Sequence, residues 1–242
     1  MELDESVIIV TGSATGVGAA VARRAASKGA RVVVNYTKSE AEANETVQAC
    51  LDLGSDTLLC RSDVSVDQDC RRMAAAALGK WGRIDGLVNN AGQSVFASST
   101  DLESLSAEEF LSIYSVNVVG AYQMIRAVTP QFKAQGTGAV VNVSSISAIT
   151  GGGSSIAYAA SKGALNTMTL GLARSLAPEI RVNAVCPGPM PTRWWDRGLG
   201  EEGAKALFKK FEEQVPLATA PTADSVASTV LWLPEGADHI TG

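Results

Sequence analysis

The sequence predicts an α/β fold: one doubly wound parallel sheet, a Rossmann fold, in a single domain. Three observations predict it. Short runs rich in β-branched residues, at 7–10, 31–34, 139–143 and 180–185, read as strands, and the continuous apolar Val7-Ile8-Ile9-Val10 lacks the alternation of a half-exposed strand, as in a sheet covered on both faces. Longer helix-forming segments separate them, and that alternation is the signature of βαβ units. A chain of 242 residues, 46% of them hydrophobic, fills one large α/β core and calls for no second domain.

Taken in order, residues 6–10 form the first strand, and Thr11-Gly12-Ser13-Ala14-Thr15-Gly16-Val17-Gly18 follows at once. A good helix former runs over 19–28 and stops at Gly29. Strand, glycine turn and helix in that order suit a pyrophosphate. Glycines let the backbone come close, and the free N–H groups of the helix start face the negative charge. Gly12, Ser13, Thr15, Gly16, Val17 and Gly18 are therefore candidate cofactor residues. The spacing is G-x-x-x-G-x-G rather than the usual G-x-G-x-x-G, and a purely structural turn is the competing reading.

The second strand, 31–34, runs into Asn35-Tyr36-Thr37-Lys38-Ser39. A carboxylate at this place bonds an adenosine ribose 2′-hydroxyl, whereas a basic or polar group accommodates a 2′-phosphate. No carboxylate precedes Glu40, and Asn35, Thr37, Lys38 and Ser39 offer donors, so NADP(H) is expected over NAD(H). Lys38 as a solvated surface charge is the alternative. A helix over 39–53, a strand over 56–60 and a helix over 67–78 follow, with Asp63 or Ser65 able to cap the last. Residues 84–92 read as a fourth strand running into Asn89-Asn90-Ala91-Gly92. Ser106 opens a long helix to about 135, with Glu108 and Glu109 where the helix dipole favours acid. Asn117, a poor helix former, sits within it among apolar neighbours.

Strand 139–143 delivers Ser144-Ser145, a glycine-rich loop follows, and a helix then carries Tyr158 and Lys162 on to about residue 177. Spacing by four puts both side chains on one face. An ammonium there favours the phenolate and is expected to pull the tyrosine below its usual pKa of about 10, making Tyr158 a general acid and base. Tyr and Lys at this spacing also occur on ordinary amphipathic helices, with the tyrosine packed and the lysine solvated. The sixth strand, 180–185, ends in Cys186-Pro187-Gly188-Pro189-Met190-Pro191-Thr192. Trp194 and Trp195 come next and require burial, as a pocket wall or a subunit contact. Helices over 203–214 and 222–233 complete the pattern.

Composition excludes several function classes. A net charge of −5 and a pI near 5.0 provide no basic field for nucleic acid or an anionic membrane. No apolar run is long enough to span a bilayer, and the acidic start Met1-Glu2-Leu3-Asp4-Glu5 is unlike a signal peptide, so a cytoplasmic protein is expected. Cys50, Cys60, Cys70 and Cys186 form no C-x-x-C pair and His239 is the lone histidine, so no metal site is expected.

Tyr158-x-x-x-Lys162, with Ser145 thirteen positions earlier, resembles the active-site signature of the classical short-chain dehydrogenase/reductases, and the resemblance covers nearly the whole chain. It implies hydride transfer between a nicotinamide and a carbonyl or secondary alcohol, with Asn117, Ser145, Tyr158 and Lys162 catalytic. It also implies that Asp63 and Val64 border the adenine, that Asn90, Ala91 and Gly92 lie beside the cofactor, and that Pro187, Gly188 and Thr192 approach the carboxamide. Asn117 would kink its helix and hold a water linking the lysine to solvent, and residues 189–215 would form a substrate lid. Similar proteins pair their long helices into homotetramers, and small residues such as Ala159, Ala160, Gly163 and Gly171 permit that approach. A narrower relative, 3-oxoacyl-acyl-carrier-protein reductase, carries basic residues at the interface helix ends, where this chain has only Lys133 nearby. A catalytically idle cofactor-binding scaffold is the rival from another class, and the intact tetrad opposes it. Family members continue past Ile240-Thr241-Gly242 into a further strand, so a longer native chain is expected.

Overall fold

The computed structural model describes the backbone of residues 1–242 and every side chain except those of Arg193, Asp196 and Arg197. Six strands are present: β1 Val7–Val10, β2 Arg31–Tyr36, β3 Thr57–Arg61, β4 Gly86–Asn89, β5 Gly138–Val143 and β6 Ile180–Val185. All neighbours are parallel, in the order β3-β2-β1-β4-β5-β6. This is the doubly wound sheet the sequence predicts. Helices α1 Gly16–Ala26, α2 Glu40–Asp52 and α3 Asp67–Trp81 alternate with the first strands. After β4 come α4 Ala107–Tyr114, α5 Ala121–Gln135, α6 Ser147–Thr150, α7 Ile156–Leu176, α8 Arg193–Gln214 and α9 Ala223–Glu235.

Alternation along each strand divides the core in two. Ile8, Val10, Val32 and Val34 pack on one face with α1, α2 and α9, while Val7, Ile9 and Val33 pack on the other with α3 and α5. Each fully buried Val or Ile contributes about 1.5 to 3 kcal/mol of transfer free energy. Alanines at 19, 20, 22, 25 and 26 are buried along α1 and let that helix lie close to its neighbours.

Several boundaries differ from the sequence reading, each for a local reason. β2 runs on to Tyr36 because Asn35 and Tyr36 pair beside Cys60 and Arg61 of β3. The helix expected from Ser106 to about 135 does open at Ser106, where a reciprocal capping box with Glu109, not foreseen in the sequence, fixes its start. It does not continue as one α-helix, however: Ser115–Gly120 winds as a π-turn with Asn117 at its centre. The loop after Ser145 contains the short α6, and α8 starts at Arg193 with a break at Gly200 (φ +70°). At the chain's end, Gly242 N donates to Val182 O at 2.9 Å along the outer edge of β6.

All four cysteines are free. Among the described residues no group of three His, Cys, Asp or Glu side chains could hold a metal ion, and no described helix is long and apolar enough to cross a membrane.

Candidate active site

The sheet order reverses direction between β1 and β4, and the loops leaving their carboxyl ends open the crevice in which doubly wound proteins bind nucleotides. Asn90 holds the two loops together: its Nδ2 donates to Thr11 O at 3.0 Å and to Gly12 O at 2.9 Å. Gly12 has φ +60°, and a Cβ there would come within 2.8 Å of Ala91 Cα, so the close approach of the loops requires glycine. No side chain caps the start of α1, and Gly16 faces open space. An uncapped helix start behind a glycine loop with room in front fits a pyrophosphate. These residues therefore fit a dinucleotide.

Not every predicted cofactor residue faces that crevice. Asn35 is buried, its Oδ1 accepts from Gly12 N at 2.9 Å, and its Nδ2 donates to Cys60 O at 3.2 Å and Ser62 O at 3.0 Å. Both amide donors are thus committed, and the expectation that Asn35 offers donors to a ligand is corrected: it shapes the glycine loop from behind. Tyr36 is also buried, in the core beneath the sheet. Thr37 and Lys38 are exposed. Asp63 does not cap α3, whose start at Val66 has no side-chain cap: it accepts from Ser65 N at 2.9 Å and Ser65 Oγ at 2.7 Å within the turn before the helix, and Val64 packs against Gly120.

Across the crevice, β5 and α7 bring the candidate catalytic groups together. Ser155 caps α7 by accepting from Tyr158 N, which fixes the first turn from which Tyr158 projects. The Ser145 hydroxyl, beside Tyr158, donates to Ser147 Oγ at 3.1 Å and accepts from Ser147 N at 3.1 Å. Lys162 Nζ donates to Val143 O at 2.8 Å and lies 5.6 Å from the Tyr158 ring centre. Asn117 Nδ2 donates to Gln93 O at 3.0 Å and to Ser161 Oγ at 2.9 Å, while its Oδ1 accepts from Gln93 N at 2.8 Å. The π-turn therefore presents Asn117 as a strut between α7 and the loop after β4. Gly92 faces both Asn117 Oδ1 and Lys162 Nζ, at 3.7 and 3.8 Å from the position of a Cβ.

The protonation equilibria run opposite to the expectation for the tyrosine. Burial raises the Tyr158 pKa, with the neighbouring Ser145 hydroxyl opposing it, and burial lowers Lys162 to about 8. Desolvation dominates at both groups, and a lysine weakened in this way exerts less pull on its neighbour. At neutral pH the phenol keeps its proton.

A family model described as Enoyl-(Acyl carrier protein) reductase matches residues 12–242. A protein named as a ketoacyl reductase of granaticin polyketide synthase from Streptomyces violaceoruber is 38% identical over 94% of this chain and 88% of its own length. The chain is a short-chain dehydrogenase/reductase. Solved structures of the family agree. One from Burkholderia xenovorans, described as a short-chain dehydrogenase/reductase, has a TM-score of 0.90 at 37% identity, covering 98% of this chain and 93% of that one. NAD+-bound xylitol dehydrogenase has a TM-score of 0.90 at 27% identity, covering 100% and 96%. As a member, the chain is an oxidoreductase that uses a nicotinamide cofactor.

Over the site of this short-chain dehydrogenase lies α8. The Trp194 ring centre is 5.8 Å from that of Tyr158, Phe96 is 5.8 Å from Trp195, and Trp195 is 6.2 Å from Phe208. Both tryptophans thus pack inside the chain. Gly198 lies directly against the Phe96 ring, and Gly188 against Phe211. Phe96, Phe208 and Phe211 went unnoticed in the sequence, since no motif marks them. The only available signal was the pair of adjacent tryptophans, which needed aromatic partners.

Proposed function

We propose that this enzyme reduces or oxidises an apolar, ring-bearing carbonyl or secondary alcohol with NADP(H) in preference to NAD(H). The observation that carries the reading is the convergence of Ser145, Tyr158 and Lys162 under an aromatic wall, facing a crevice with an uncapped helix start. The nicotinamide, when bound, supplies or accepts the hydride. Tyr158 holds its proton at neutral pH and gives it to the carbonyl oxygen in the reductive direction, while Ser145 hydrogen-bonds that oxygen. Lys162, charged below about pH 8, stabilises the phenolate that proton transfer leaves behind and holds ribose hydroxyls. Both amide protons of Asn117 are already donated, so its part in a proton relay runs through its main chain or the remaining lone pair of Oδ1.

In this reading Gly12, Ser13, Thr15, Gly16, Val17 and Gly18 hold the pyrophosphate, Asp63 and Val64 border the adenine, and Pro187, Gly188 and Thr192 approach the carboxamide. The chain is one dinucleotide-binding and catalytic domain in which residues 189–215 act as the lid. Exposed Val119, Tyr122 and Leu170, beside open space at Gly171, support a homotetramer joined through the long helices, in the cytoplasm. A second reading, an acyl-carrier thioester as substrate, is favoured by the named ketoacyl reductase relative. Turnover of cyclic and aryl ketones, short polyols and a 3-oxoacyl thioester, each with both cofactors, tests the proposal. Preference for the polyols overturns the apolar substrate, and preference for the thioester selects the second reading.

A further inference from the structure

Where β2 and β3 end, the surface opens into a cavity of about 330 Å³ lined by Thr37, Arg61, Ser62, Asp63, Asp69 and Arg72. Arg61 reaches its wall because the β2–β3 register places it beside Tyr36, the last residue of β2. In a doubly wound nucleotide-binding sheet, the end of the second strand is where the adenosine ribose is read.

The charges in this cavity are not equivalent. Asp69 Oδ1 accepts from Arg72 Nη2 at 2.6 Å, and its Oδ2 accepts from Asp63 N at 2.9 Å. Arg72 and Asp69 therefore neutralise one another, and Asp63 is held by Ser65. Of the two arginines, Arg61 is the one with no ion pair among the described residues, and Asp63 keeps its negative charge in the lining. Lys38, the cation that the sequence pointed to, does not line the cavity. A guanidinium presents parallel N–H donors that match two oxygens of a phosphate, which an ammonium cannot do.

We propose that Arg61, rather than Lys38, recognises a phosphomonoester on the ribose 2′-oxygen and sets the cofactor preference. This rests on the NADP(H) reading given above. Thr37 lies on the same wall, its hydroxyl donating to Ser62 O at 3.4 Å, a long bond that a phosphate oxygen can replace. Hydrogen bonds to a charged phosphate imply at least roughly a tenfold loss of affinity when the guanidinium is removed.

The test is equilibrium binding of adenosine 2′,5′-bisphosphate and adenosine 5′-monophosphate by calorimetry. It compares the full chain with Arg61→Gln, Arg61→Lys and Lys38→Gln. These probes lack the nicotinamide, so the readout is independent of turnover, and retained monophosphate binding shows that a variant is folded. The bisphosphate is expected to bind more tightly to the wild-type chain. Arg61→Gln should lose about tenfold or more for the bisphosphate and less than about threefold for the monophosphate. Arg61→Lys should fall between, and Lys38→Gln should lose less than Arg61→Gln. If the wild-type chain prefers the bisphosphate but Arg61→Gln leaves that preference intact, or Lys38→Gln loses more, the assignment of Arg61 is overturned. If the wild-type chain binds both probes alike, the NADP(H) reading itself fails.

Discussion

Replacing Lys162 by Met should change how stability depends on pH. The folded chain holds this lysine at a pKa of about 8 because it is buried, against an ordinary value of 10.5. Between those values the unfolded chain binds a proton that the folded chain lacks. Unfolding therefore takes up protons there, and wild-type stability rises with pH through that window. Below about pH 8 both states carry the charge, and the full cost of burying it is present. The gap between 10.5 and about 8, at about 1.36 kcal/mol per pH unit, corresponds to ~3 kcal/mol. Met removes the charge and also the bond to Val143 O, which costs about 1 to 3 kcal/mol at every pH. The sign of the difference at a single pH is thus uninformative, whereas its slope is decisive. Urea unfolding of both proteins at matched concentration, from pH 7 to 10.5, should show wild type gaining ~3 kcal/mol relative to the variant. A stability difference that stays flat across this range would refute the argument that burial sets the state of Lys162.

Tyr158→Phe should retain less than about a tenth of wild-type kcat while binding cofactor with nearly unchanged affinity, because the ring remains and the proton donor is lost. Fluorescence titration beside steady-state assays separates the two effects. Gly18→Ala would push a methyl group into Asn90 Nδ2 and to 2.5 Å from Gly12 O. It should cost about 1 to 3 kcal/mol of stability and weaken cofactor binding, read by thermal unfolding with and without nucleotide. Gly198→Ala should force α8 off the Phe96 ring and raise KM for a ring-bearing substrate more than it alters nucleotide affinity. Light scattering at micromolar concentration should give the mass of a tetramer, and a monomer would contradict the proposed pairing of long helices.

The sheet was legible because each of its strands is a short apolar run closed by a turn, and the parallel order follows from helices lying between them. Ser145, Tyr158 and Lys162 were legible because spacing on one strand end and one helix face is local information. Asn35 was misjudged for the opposite reason. Its amide is claimed by Gly12, Cys60 and Ser62, partners whose approach depends on the β2–β3 register and on how the glycine loop folds back. Arg61 and Phe96 escaped notice likewise, since the cavity and the contact of Phe96 with α8 each join segments far apart in the chain. The direction of the Tyr158 shift could not be foreseen from spacing alone, because desolvation depends on what α8 lays over the ring. The π-turn leaves only a faint trace in sequence, an asparagine among apolar neighbours.

That wide turn restricts which length changes the chain tolerates. Each residue of an α-helix advances the phase by about 100°, and a π-turn accommodates one residue more than an α-helical turn spanning the same height. Deleting a single residue within Ser115–Gly120 would let α4 and α5 merge into one regular helix, a change the hydrophobic core could survive. The flanking helices would keep their relative phase, because the turn already absorbs the extra residue, but the bulge that carries Asn117 would close and the amide that braces Gln93 against Ser161 would point elsewhere. Substitutions along this helix alter contacts one at a time, whereas the loss of one residue unlocks the loop after β4 from α7 in a single step. Helix length here is part of the active site's specification.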